Sequence, residues 1–349
     1  MLVKISPRER VYKAVAHEET DIIPYNIPIH TRAHKTLVRA YGDGYNKPII
    51  NHFAGASLSA CLFPPLDVVG DWEDDFGCIW RQSSDGAPHI IKHVLSEPNL
   101  EGLKFPDFST PGRYENIPPE IEADRDKFFV AGAGLLFFER SWALRGFEQI
   151  LVDFYRHTDF AEELLDKLME LNIQMVEGIT KYDVDAVLFS DDYGMQKGLI
   201  MGPTVWRKFL KPRLKQIYGR VKKAGKLVMI HSCGDNSGIM GDLIEIGVDI
   251  FHPTQPEAMN IHELKTKWGS QITFDGGITT QKLPFYSPKQ IREEIRRVRC
   301  FMSEGGGFVL EPTKEIRWDV PPETAMALIK EIVKPSDRNT CERGRKEAH

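Results

Sequence analysis

Hydrophobic and polar positions follow no steady period up to about residue 125 and become regular from residue 126 onward. In the regular part, short apolar runs alternate with amphipathic stretches. That is the pattern of a parallel sheet joined by crossover helices. It predicts strands at Phe128–Leu136, Ala186–Ser190, Leu227–His231, Asp249–His252, Ile272–Phe274 and Phe308–Leu310. Helices are predicted at about 159–182, 204–224, 237–246 and 288–303. In the last of these, Ile291, Ile295 and Val298 recur at helical spacing, with Arg and Glu on the other faces.

The first third reads differently. Ser6-Pro7-Arg8-Glu9 has the marks of a helix start, with Ser6 as cap, Pro7 at the first turn and Glu9 completing a capping box. The helix should run to about His17. Ile22–Ile29 is apolar and β-rich but broken by Pro24 and Pro28. Residues 40–125 are rich in Pro, Gly and Asp, and Asp75–Arg81 and His89–Leu95 are expected as strands of an inserted hairpin. Counting Ile22–Ile29 and one more strand hidden in this region gives about eight, the number of a TIM barrel. The fold class expected is α/β: a single TIM (β/α)8 barrel over residues 1–335, with an irregular insertion at about 40–125 and a solvated tail at 336–349.

Composition narrows the function. The 349 residues are 42% hydrophobic and 27% charged with a net charge of −5, and no basic stripe is present, which argues against a nucleic-acid partner. The five cysteines, Cys61, Cys78, Cys233, Cys300 and Cys341, form no CxxC pair and no disulfide framework. The N-terminal residues lack a signal-like apolar region, and no apolar run approaches the ~20 residues of a membrane span. A cytoplasmic protein is expected, and a homodimer is left open.

In a barrel of this kind chemistry collects where strands end and the following loops begin. Each predicted strand is followed by polar residues or glycine: Glu139 and Arg140, then Asp191, Asp192 and Gly194, then His231, Cys233 and Asp235, then Gln255, then Asp275 to Gly277, then Glu311 and Lys314. Residues i and i+2 of a strand share a side, so His231 and Cys233 converge. A bare His-x-Cys pair is commonly core, since free Cys is often buried. Its place at a strand's carboxyl end favours zinc instead, which takes nitrogen and sulfur and in catalytic sites keeps a fourth position open. Glu311 is the first candidate for the third ligand, with Asp191 and Asp192 behind it.

Asp192, and less so Asp191, can supply a ligand, a base or a substrate hydrogen bond, or can cap a helix. Glu139 and Arg140 can bind a polar substrate group or form an internal ion pair, the latter slightly favoured. Phe137, Phe138, Trp142 and Phe147 can face an aromatic or corrinoid ligand, though core packing is their default. The glycines at 276–277 and 305–307 lack a G-x-G-x-x-G spacing and read as tight turns. His17, His30, His89, His157, His252 and His262 show no convergent partner and receive no role.

Arg8-Glu-Arg10 with His17-Glu-Glu-Thr-Asp21-Ile-Ile-Pro24, Ser190-Asp-Asp-Tyr-Gly194, His231-Ser-Cys-Gly-Asp235, Asp275-Gly-Gly277 and Asp319-Val-Pro-Pro-Glu323 together resemble the uroporphyrinogen decarboxylase superfamily, over residues 6–332. The resemblance implies a single TIM barrel. The porphyrin decarboxylases carry an M-R-Q-A-G-R stretch early in the barrel. Here Tyr25-Asn-Ile-Pro-Ile-His-Thr-Arg32 stands in its place, and Lys314 replaces a late histidine. The other branch comprises zinc-dependent, corrinoid-linked methyltransferases, whose His-x-Cys pair matches His231 and Cys233. Where the coenzyme M enzymes have a second Cys, this chain has Leu310-Glu-Pro-Thr-Lys314.

The resemblance therefore implies zinc held by His231, Cys233 and Glu311, and methyl transfer between a small methoxylated molecule, such as a phenyl methyl ether, and the cobalt of a corrinoid (cobalamin) supplied by a partner protein. Asp192 would orient substrate or a proton, and Glu139, Arg140 and Lys314 would bind or position it. The alternatives are a methylcobamide:thiol (coenzyme M-type) methyltransferase, a decarboxylase on the same barrel, and a non-catalytic barrel.

Overall fold

A computed structural model describes residues 5–58, 69–83, 88–135 and 137–335. The predicted tail at 336–349 lies outside the described residues. Seven parallel strands follow one another in sheet order: β1 (Phe53–Ser57), β5 (Phe128–Leu135), β6 (Ala186–Ser190), β7 (Leu227–His231), β8 (Ile250–Thr254), β9 (Thr273–Ile278) and β10 (Phe308–Pro312). Between β1 and β5 lies a small antiparallel sheet of β2 (Gly70–Glu73), β3 (Ile79–Gln82) and β4 (His89–Lys92). The strand hidden in the first third is thus Phe53–Ser57.

The segment Ile22–Ile29 takes the eighth place in the barrel. Tyr25 bridges Leu310 in parallel, and the His52 N–H donates to the Tyr25 carbonyl at 3.0 Å. The segment is not a continuous strand, because Pro24 and Pro28 have no N–H to give to a ladder. The expected hairpin is present, with its strands trimmed to β3 and β4, which pair antiparallel. Residues 75–78 instead form the turn between β2 and β3, where the Asp74 Oδ1 accepts from the N–H of Phe76 at 3.0 Å and of Cys78 at 2.9 Å.

Alternation along the strands sorts the core. Val130, Ala186, Met229 and Ile250 form a small cluster with Phe128, and Val11 of the first helix joins it. Neighbouring positions such as Val187, Ile230, Phe251 and Phe274 belong to the larger core under the helices. The first helix, Pro7–Val15, starts as its residues dictate: the Glu9 N–H donates to Ser6 Oγ at 3.2 Å, and the Ser6 N–H donates to Glu9 Oε2 at 2.6 Å. It closes the amino-terminal end of the barrel, held by Arg8 to Asp185 at 2.7 Å and by the Tyr12 hydroxyl donating to Asp185 at 2.6 Å. The early charged motif is therefore structural. Among the described residues no helix is long and apolar enough to cross a membrane.

Candidate metal centre

At the carboxyl end of the barrel, Ser190, His231 and His252 stand side by side in adjacent strands. The loops after β6 and β7 are tied together by Gly194 N–H donating to the Cys233 carbonyl at 3.2 Å and Asp235 N–H donating to the Met195 carbonyl at 2.7 Å. Tyr193 N–H donates to Ser232 Oγ at 3.0 Å, and Gly234 N–H donates to Gln255 Oε1 at 2.6 Å. This lacing turns Asp192 towards the His231–Cys233 pair, where its Oδ1 accepts the Cys233 N–H at 2.7 Å.

The ligating atoms of Asp192, His231 and Cys233 lie within 4.8 Å of one another. His231 Nε2 is 3.4 Å from Cys233 Sγ and 3.9 Å from Asp192 Oδ1. Donors bound tetrahedrally to zinc at about 2.0–2.3 Å stand about 3.3–3.7 Å apart, so this set fits a zinc ion with little movement. The side chains of His231 and Asp192 keep 27% and 37% of their surface accessible, which leaves room for a further ligand. Burial pushes the Cys233 thiol up to about 12, with Asp192 adding to the shift. Without a cation the sulfur keeps its proton; a bound metal ion would displace it.

Glu311 does not join this group. It is 7% exposed and belongs to a neighbouring cluster with His252 and Asp275, again within 4.8 Å. It lies on β10, opposite Gly277 of β9 and three strands round from His231, so the end of the last strand faces another part of the barrel. Burial raises its carboxyl to about 7, and that of Asp275 well above the usual range. The two clusters touch through the imidazoles, with His231 Nδ1 and His252 Nδ1 at 2.9 Å. His252 thus has the convergent partner that the sequence reading denied it. The signal was available, since His252 ends its predicted strand beside His231.

The expected Glu139–Arg140 ion pair is replaced by another. Arg140 is fully buried and bonds Asp74 at 2.5 Å, with its guanidinium 4.5 Å above the Phe76 ring. Asp74 also accepts from the Trp80 indole at 2.9 Å, so Arg140 ties the inserted sheet to the barrel and is not presented to a substrate. Helical geometry explains the separation, because consecutive residues on the helix Phe138–Arg145 point to different faces.

Glu139 stays with the site. Its carboxyl is raised to about 8, chiefly by burial and then by Asp191 and Asp192. Asp191 accepts the N–H groups of Phe138 at 2.9 Å and Glu139 at 2.7 Å, capping the start of that helix from across the mouth. Lys314 is exposed; burial lowers His231 and raises Cys233, and the Lys314 charge pulls both down, so it acts on the same opening. Phe137 and Phe138 are buried, whereas Phe147 is 45% exposed and packs edge-on to Trp142.

A methyltransferase from Methanosarcina mazei has a similar structure, with a TM-score of 0.68 at 17% identity, covering 94% of this chain and 98% of that one. A beta-N-acetylhexosaminidase gives a TM-score of 0.40 at 11% identity, covering 93% of this chain and 74% of that one. No curated protein sequence gives a significant match. The family model for uroporphyrinogen decarboxylase (URO-D) matches residues 73–334, from the inserted sheet through the last barrel helix, and the chain belongs to that family.

Proposed function

We propose that this chain transfers a methyl group between a methoxylated small molecule and the cobalt of a corrinoid carried by a separate protein. The convergence of Asp192, His231 and Cys233 at the open end of the barrel carries the reading. Three donors of that kind leave one tetrahedral position free, as catalytic zinc sites do. Zinc bound there supplies a Lewis acid for an ether oxygen, whose departure as alkoxide or phenoxide is otherwise slow.

The chain's own groups do the rest. Asp192 holds the Cys233 backbone in place through the 2.7 Å hydrogen bond. Glu139, raised to about 8, keeps a proton at neutral pH and can give it to the leaving oxygen. Lys314, exposed at the mouth, attracts a carboxylate or phenolate on the substrate. The corrinoid protein enters as a second substrate bringing a cobalt(I) nucleophile, so no Ser or Cys nucleophile is required.

The test is methyl transfer from a methoxylated aromatic to a reduced corrinoid protein, before and after chelation. His231→Ala and Cys233→Ala are compared in parallel. Loss of zinc and of transfer in both variants is expected. Acceptance of the methyl group by coenzyme M in the same assay would mark the thiol-directed alternative. Full transfer after chelation, or zinc retained at one equivalent in both variants, would refute the zinc site. No transfer by the zinc-loaded protein would refute the methyltransferase reading and favour the decarboxylase.

A further inference from the structure

We infer that His252, backed by Asp275 and Glu311, is a positioning residue that fixes which nitrogen of His231 faces the metal, and that the two clusters together hold one cation rather than two. The inference rests on the zinc reading above and names a part of the same site.

His231 Nε2 faces Cys233 Sγ at 3.4 Å, while its Nδ1 faces His252 Nδ1 at 2.9 Å. Two ring nitrogens at that distance share one proton, one donating and the other accepting. A neutral imidazole has a single N–H. When His231 binds a metal through Nε2, its proton sits on Nδ1 and is donated to His252. His252 then accepts at Nδ1 and carries its own proton on Nε2. That nitrogen is a donor and cannot ligate a second ion.

The His252 N–H needs an acceptor, and the neighbouring cluster has one to spare. Asp275 is 1% exposed, and its carboxyl meets that of Glu311. Glu311 accepts at Oε1 from Asn26 at 3.1 Å and meets Asp275 with its carboxyl. Two buried carboxyl groups that share a proton still carry acceptor oxygens for a further donor. A histidine N–H can be that donor, and the ligating atoms of His252, Asp275 and Glu311 are already within 4.8 Å. Carboxylates behind a metal-bound histidine generally fix its tautomer and ring orientation. Here a second imidazole is interposed.

The opposite tautomer pair reverses the outcome. If His252 donates at Nδ1, His231 must carry its proton on Nε2, which closes the Asp192–His231–Cys233 site. It also frees His252 Nε2 to bind an ion with Asp275 and Glu311. The two arrangements exclude each other, and the open, thiol-bearing cluster is the one a cation can reach.

Cobalt(II) titration of the metal-free full-length protein tests this, because only the first cluster gives a thiolate charge-transfer band. One equivalent with that band is expected, and two equivalents overturn the exclusion. His252→Leu removes the acceptor and should weaken cobalt binding roughly 10- to 100-fold, with the band kept at saturation. His252→Asn offers an amide oxygen in place of Nδ1 and should stay close to wild type. Equal affinities for the two variants, or a tighter Leu variant, would mean that His252 only fills space and would overturn the positioning role. One equivalent without the thiolate band would overturn the zinc site itself, and the relay with it.

Discussion

Gly194 and Gly234 cross backbone to backbone beside the Asp192–His231–Cys233 cluster. A Cβ on Gly234 would stand 2.3 Å from the Gly194 carbonyl carbon, and one on Gly194 would stand 2.7 Å from the Cys233 carbonyl oxygen. Gly234 also has φ +82°, where any other residue is strained. Gly234→Ala should therefore cost at least about 2 kcal/mol of stability and lower zinc content. Gly238→Ala, four residues on in the short turn Ser237–Ile239, meets nothing within 4 Å and should change stability by no more than about 0.5 kcal/mol. Denaturant unfolding with metal analysis checks both. Equal stability and zinc content for the two variants would show that the crossing is not needed.

Arg140 and Asp74 are both sealed from solvent, so removing one leaves the other charged and uncompensated. Arg140→Met should cost about 3–5 kcal/mol, while Arg140→Met with Asp74→Asn should cost clearly less than either single change. The readout is a double-mutant cycle by chemical unfolding, and simple additivity would contradict it. Folded Arg140→Met should keep an unchanged KM, because the side chain is turned away from the mouth.

Glu139 makes stability depend on pH with a definite sign. Its folded carboxyl is raised from 4.5 to about 8, so between those values the folded chain binds more protons than the unfolded one. Unfolding free energy of the metal-free protein must then fall as pH rises through that window. Glu139→Gln should flatten the slope between about pH 4.5 and 8. An unchanged slope in the variant would place the proton elsewhere.

Lys314 is exposed and its charge acts on His231 and Cys233, and one such charge is worth about 1 kcal/mol or less. Lys314→Met should raise KM for a carboxylated methoxy-arene by up to roughly fivefold and leave kcat nearly unchanged. The effect should shrink in high salt and vanish for an uncharged arene. A loss confined to kcat would assign Lys314 to the chemical step instead.

The barrel was legible in the sequence wherever a strand is apolar on both sides. Ala186–Ser190 and Leu227–His231 have the predicted bounds, because both faces are buried and the run ends where polarity begins. Phe53–Ser57 was not located, since Phe-Ala-Gly-Ala-Ser carries little apolar bulk and its burial is mixed. The His231–Cys233 pair was legible because i and i+2 share a side of one strand. The remaining members were not, because ordering among residues of different strands depends on stagger. Asp192, not Glu311, reaches the pair, and Arg140 finds Asp74 far away in sequence.

The first helix also decides how traffic must run. With Val11 fully buried among the residues that line the lower barrel, the structure is a cup and not a pipe. Any two reactants share one doorway. On the proposed reading, a small molecule would have to bind before a partner protein covers the rim, and would depart only after that cover lifts.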